Sequence, residues 1–177
     1  MRQNLFSIPF FFDKVDLSKI SLIDKERKPT FVSGVQSSFN THRIVKKETL
    51  RYLTKLIWKN IECICKGSFS IEISEMWRNV YTKNDCQEPH IHPKCQWSFV
   101  IYENINESRT VFQNPSRYLL TSCIDAYGVN DVFIESIKPK LTNGDIIIFP
   151  SFVEHYVLSG GVGTTISGNV HITQNDK

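Results

Sequence analysis

Three of the chain's five histidines fall in two short stretches. The first is Glu88-Pro89-His90-Ile91-His92-Pro93, and the second is Phe149-Pro150-Ser151-Phe152-Val153-Glu154-His155. Residues i and i+2 of an extended strand point to one face, so His90 and His92 would present two imidazoles side by side. His155 follows Ile146-Ile147-Ile148-Phe149, an apolar run that reads as a buried strand. If that strand packs near the first, the three rings can close on one metal ion. Imidazole suits iron, zinc, copper and nickel, and a three-ligand site leaves positions open for substrate or oxygen chemistry. His42 and His171 stand alone and read as structural. No Ser-His-Asp or Cys-His triad follows from spacing. Gly160-Gly161 precedes neither a Lys nor a helix, so it does not read as a phosphate loop.

The elements that must position these residues are mostly strands. Leu50, Leu53, Ile57, Ile61 and Ile64 recur at helical spacing, and Gly67 is placed to end that helix, giving a helical decoration over about 44–66. Phe69, Ile71 and Ile73 then alternate with polar residues as a half-buried strand, and Thr82 to Asp85 reads as a turn. Trp97 to Tyr102, Thr110 to Phe112, Val132 to Ile137, Asp145 to Phe149 and Thr164 to Ile172 read as further strands. Arg117 to Asp131 reads as a loop, and Asn143-Gly144 is a turn that launches the strand leading to His155. Leu5 to Phe12, broken by Pro9, reads as an opening strand. One helix before many short strands predicts a mainly β jelly roll. Trp97, Phe99 and Ile101 read as core.

At 177 residues the chain is expected to form a single domain, 1–177. The net charge of +3 carries no basic block with interleaved aromatics, which argues against nucleic acid as a partner. The apolar start is too short for a signal peptide or a membrane span. The five cysteines, Cys63, Cys65, Cys86, Cys95 and Cys123, are odd in number and read as free thiols in a reducing compartment. A cytoplasmic location is expected, the host's cytoplasm if the chain is phage-encoded. A homodimer is a possible assembly.

Several segments, in order, resemble the small iron(II)/2-oxoglutarate-dependent oxygenases common in marine phages and bacteria. They are Leu5 to Pro9, Trp77-Arg78-Asn79, His90-Ile91-His92-Pro93, Trp97 to Tyr102, Asn114-Pro115-Ser116-Arg117, Asn143 to Ser151, Glu154-His155 and Ile166 to Asn169. The resemblance covers about residues 5 to 172. It implies a double-stranded β-helix, the cupin-like jelly roll, carrying iron(II) and 2-oxoglutarate. It also implies that His90 is the first ligand and His155 the distal one. His92 falls where the family usually has a carboxylate. An alternative ligand set keeps His90 and His155 and adds Glu88 or Glu154.

The resemblance breaks at one more place. The family anchors the far carboxylate of 2-oxoglutarate with an Arg on the last strand, where this chain has Gly163, and no Lys or Arg occurs from Leu141 to Asp176. Arg117, Arg109 and Lys94 are the available cations, and Arg117 is favoured because it lies in the Asn-Pro-Ser-Arg segment. Tyr102 and Tyr81 can reach a co-substrate carboxylate, although a core or rim role is the plainer reading. Ser167 and Asn169 are candidates to line the pocket. The function implied is a dioxygenase that couples decarboxylation of 2-oxoglutarate, its small-molecule co-substrate, to hydroxylation of an unidentified substrate, with no catalytic residue beyond the metal ligands. Two other readings stand beside it. One is a three-histidine cupin-type metalloenzyme that does not use 2-oxoglutarate, and the other is a non-catalytic jelly-roll binding protein.

Overall fold

Strands dominate because β-branched and aromatic residues alternate with polar ones over most of the chain. The computed structural model describes residues 7–118 and 134–175. Its strands are β1 (Phe11–Lys14), β2 (Leu22–Asp24), β3 (Lys28–Thr30), β4 (Val35–Ser37), β5 (Arg43–Val45), β6 (Phe69–Tyr81), β7 (Gln87–His90), β8 (Trp97–Ile105), β9 (Thr110–Gln113), β10 (Ser136–Ile137), β11 (Asp145–Pro150), β12 (His155–Val157) and β13 (Gly163–Gln174). One α-helix, α1 (Lys47–Ile61), lies between β5 and β6. A seven-stranded sheet runs β1-β11-β8-β13-β6-β4-β3, and a four-stranded sheet runs β10-β9-β12-β7. All their pairings are antiparallel. This is the mainly β class, with large antiparallel sheets, that the strand pattern predicts. No helix among the described residues is long and apolar enough to cross a membrane.

The large sheet is buried on both faces, which explains why β8 and β11 read as nearly continuous apolar runs. Phe99, Ile101, Ile146 and Ile148 point to one face and pack with Leu53, Ile57 and Ile61 of α1. Their neighbours Val100, Tyr102, Ile147 and Phe149 point to the other face and pack with Phe112 of the small sheet. Each fully buried aliphatic there is worth roughly 1.5–3 kcal/mol. Trp97, Phe99 and Ile101 belong to the helix-side core.

Several elements differ from the sequence expectation. The helix stops at Ile61 and tightens into a 3-10 turn, Glu62–Ile64. Gly67, at φ 115°, therefore turns the chain into β6 rather than capping the helix. The half-buried strand beginning at Phe69 does not stop at Ile73 but runs on to Tyr81, so Trp77-Arg78-Asn79 is strand. Pairing at the N-terminal end starts only at Phe11, because Pro9 has no N–H to donate to a ladder. Leu5 and Phe6 lie outside the described residues, as do residues 119–133 of the expected loop and strand. Cys63, Cys65, Cys86 and Cys95 are free, and Cys123 lies outside the described residues.

Arg78 ties the large sheet together on its helix side. It reaches across β13 to form a two-pronged pair with Glu103, Nε to Oε2 at 2.6 Å and Nη2 to Oε1 at 2.7 Å. Nη1 donates to Asp24 Oδ2 at 2.8 Å. Removing one partner of such a poorly exposed network leaves carboxylates without their counter-charge. Arg78→Ala should lower the unfolding free energy by about 3 kcal/mol, read as a shift in the urea midpoint. An unchanged midpoint would show that the network contributes nothing net.

Candidate metal centre

Antiparallel pairing of β7 with β12 sets His90 directly opposite His155. Their ring centroids are 4.3 Å apart. His92 lies just past the end of β7, where its N–H donates to Ser151 O at 3.0 Å and holds the segment extended. Its ring lies 5.6 Å from that of His90 and 5.0 Å from that of His155. One ring nitrogen from each histidine falls within 4.8 Å of the other two. The same-face spacing of His90 and His92 is thus realised, but the apolar strand before His155, β11, lies in the other sheet, and it is the separate short strand β12 that brings His155 beside β7.

The nitrogens facing away from this cluster all have oxygen partners. His90 Nδ1 lies 2.7 Å from Glu88 O, and His155 Nδ1 lies 3.0 Å from Val153 O. A carbonyl oxygen can only accept, so both rings carry their proton on Nδ1 and leave Nε2 with a lone pair. His92 Nδ1 lies 2.7 Å from Asn169 Oδ1 and 2.9 Å from Ser98 Oγ. Asn169 Nδ2 donates to Glu75 Oε2 at 3.2 Å, which fixes the amide so that Oδ1 faces His92. Arg43 Nη2 in turn holds Glu75 Oε1 at 3.2 Å. Outer partners of this kind orient a metal-binding imidazole and raise its basicity.

All three rings are held neutral. Burial is the main cause, lowering His90, pushing His92 down to about 4 and taking His155 well below the usual value. Neutral imidazole is the form that binds metal. Phe31, at φ 63°, packs its ring 5.2 Å from that of His90. A bulky residue in the left-handed region is uncommon, and here it closes the β3–β4 turn onto β7. Glu88 Oε1 accepts from Val32 N at 2.6 Å and so holds that turn.

The three rings open into a cavity of about 360 Å³. Ser167 and Asn169 of β13 line it, as do Tyr81, Thr110 and Thr165, and among the described residues no Asp, Glu, Lys or Arg does. Tyr102 does not reach this cavity. It is fully buried and donates its hydroxyl to Thr110 Oγ1 at 2.8 Å. Arg117 does not line it either, because its guanidinium turns to Glu154, with Nη1 2.6 Å from Oε2. The carboxylates weighed as alternative ligands are thus turned elsewhere, Glu154 to Arg117 and Glu88 to the β3–β4 turn. Lys94 is exposed. Sequence reading passed over Glu75, Ser98 and Arg43. Glu75 had a findable signal as an acidic residue within the strand that leads to Trp77-Arg78-Asn79.

A family model described as "Putative 2OG-Fe(II) oxygenase" matches residues 75–164. No curated protein matches the chain. Among solved structures, an oxidoreductase of the 2OG-Fe(II) oxygenase family from Burkholderia pseudomallei aligns at TM-score 0.49 and 11% identity, covering 90% of this chain and 71% of that one. The viral collagen prolyl hydroxylase of Paramecium Bursaria Chlorella virus-1 aligns at 0.43 and 13%, covering 73% and 70%. The non-heme alpha ketoglutarate dependent epimerase SnoN from nogalamycin biosynthesis aligns at 0.44 and 13%, covering 72% and 57%.

Two outcomes follow from this geometry. In the metal-free protein, the unfolded chain takes up a proton on His92 below about pH 6.5 that the folded chain refuses until about 4. Stability is therefore complete above pH 6.5 and falls as the pH drops toward 4, by roughly 3 kcal/mol from His92 alone. Urea midpoints between pH 8 and 4 should show this fall, and His92→Gln should flatten it; equal slopes would contradict the assignment. Separately, Asn169→Ala should weaken cobalt(II) or zinc(II) binding by about 10- to 100-fold, measured by competition with a chelator.

Proposed function

The chain belongs to the 2OG-Fe(II) oxygenase family, and we propose that His90, His92 and His155 hold its iron(II), with the adjoining cavity receiving 2-oxoglutarate and the substrate. The observation that carries this is the set of three neutral rings, each with Nδ1 engaged by an oxygen and one nitrogen near the others. Iron(II), when bound with 2-oxoglutarate and oxygen, supplies the decarboxylation to succinate that is coupled to oxidation of a substrate C–H bond.

The protein's own part is holding, orienting and drying. Two ligands come from facing positions on paired strands, so their separation is set by the ladder and not by flexible loops. His92 is held through Asn169 and Glu75 to the large sheet, which fixes its ring orientation. Phe112 and Phe149 flank His155 at 5.6 and 4.9 Å between centroids and keep water from that side. With imidazole where a carboxylate is usual, all three ligands are neutral. A divalent ion would keep its full charge in a cavity that no charged side chain lines among the described residues, which favours an anionic co-substrate.

Each of His90→Ala, His92→Ala and His155→Ala should strongly reduce iron occupancy, measured by elemental analysis after anaerobic loading. Iron-loaded intact protein should release succinate from 2-oxoglutarate, and the three variants should not. Full iron affinity in His92→Ala would refute the three-histidine set and send the search to a carboxylate. Metal binding with no succinate formation under any substrate would favour the three-histidine enzyme that does not use 2-oxoglutarate.

A further inference from the structure

The last-strand position where the family resemblance places an anchoring Arg cannot hold one here. A Cβ built on Gly163 would lie 2.6 Å from Asn104 O, closer than real Cβ atoms approach backbone. Arg109 offers a replacement. It precedes β9, on the other sheet, and its guanidinium lies against the backbone of Gly160 and Gly161. A Cβ on Gly161 would stand 2.4 Å from Arg109 Cζ and Nε, and one on Gly160 would stand 2.8 Å from Nη1. Gly160, at φ 106°, is also favoured as a glycine by its backbone. Gly161 has no such reason, and its missing side chain makes the slot for the guanidinium.

Within that slot the charge is poorly met. Arg109 Nε and Nη1 are buried and have no hydrogen-bond partner among the described residues. Nη2 is 4.0 Å from Glu107, a residue 58% exposed that Lys138 also holds, at 2.9 Å. A buried guanidinium with unused N–H groups is costly unless an anion completes it. Arg109, with Tyr102 and Glu107, lines a recess of about 30 Å³, room for about one water molecule or the end of a carboxylate. Tyr81, Thr110, Val157 and Thr165 line both this recess and the histidine cavity. Thr110 Oγ1 accepts from Tyr102, so its own hydroxyl proton is left to donate.

The separation suits a short dicarboxylate. Phe112 lies opposite His155 in the ladder, and Arg109 is three residues earlier in the same chain, which puts the two backbone positions about 10 Å apart at the usual strand rise. Arg109 is the only Lys or Arg lining either space among the described residues. We infer that Arg109, seated on Gly160 and Gly161, is the cation that binds the far carboxylate of 2-oxoglutarate. This rests on the histidine cluster holding the metal, as proposed above.

The test uses the intact protein loaded with manganese(II), titrated calorimetrically with 2-oxoglutarate and with pyruvate, a 2-oxo acid that lacks the far carboxylate. Loss of one charge-assisted contact corresponds to about a 10- to 150-fold weakening. Arg109→Gln should weaken 2-oxoglutarate by that factor and leave pyruvate unchanged, with Arg109→Lys in between. Gly161→Ala should weaken 2-oxoglutarate too, although the charge is intact, because its methyl occupies the slot. Arg117→Ala should change neither. Unaltered 2-oxoglutarate affinity in Arg109→Gln and Gly161→Ala, or equal losses for both acids, would overturn the Arg109 assignment and leave the metal site standing. Failure of the intact manganese protein to bind either acid would instead overturn the underlying reading, and the Arg109 assignment with it.

Discussion

The antiparallel register between β7 and β12 is the constraint on which the site depends. It places His155 opposite His90 across one ladder, so two rings meet without any loop having to find the right conformation. Slipping that register by one residue would send His155 to the opposite face of its sheet. The register is held from outside by β9, which pairs with the other edge of β12 and brings Phe112 against His155. A hydrophobic contact thus guards a polar cluster.

His92 depends on a different sheet. Its ring is steered by Asn169 of β13, and Asn169 by Glu75 of β6, so the third ring reports the spacing between the two layers. That spacing is fixed by the interior cluster of Val100, Tyr102, Ile147, Phe149 and Phe112. On the far face α1 packs over the large sheet. The core therefore acts on the chemistry through distance: it sets how far apart the proposed ligands sit.

Charge is distributed with the same economy. Among the described residues the cavity walls next to the histidines are neutral, and burial keeps the rings neutral as well. A cation and an anion brought there would meet little competition from water or side chains, which strengthens their attraction. Arg109 stands at the edge of that neutral space and not within it, where it can engage one end of a dicarboxylate without repelling a metal at the other.

Much of this was legible in the residues themselves. The i, i+2 spacing of His90 and His92, the apolar run before His155, and the helical recurrence of Leu53, Ile57 and Ile61 are local patterns, and local periodicity survives into the fold because backbone geometry enforces it. Short strands such as β2 to β5 were not legible, since three residues of mixed polarity carry no clear period. Nor were the partners that orient and neutralise the site. Asn169 is 77 residues from His92 in sequence, and no spacing rule connects them. The sequence offered Arg117 as the anchoring cation because it lies in a suggestive segment, but packing turns it to Glu154 and presses Arg109 onto Gly160 and Gly161 instead. Spacing determined that His90 and His92 share a face. Only the packing of two sheets decided which distant amide holds the third ring and which arginine is pressed onto Gly160 and Gly161, because both are set by contacts between segments far apart along the chain.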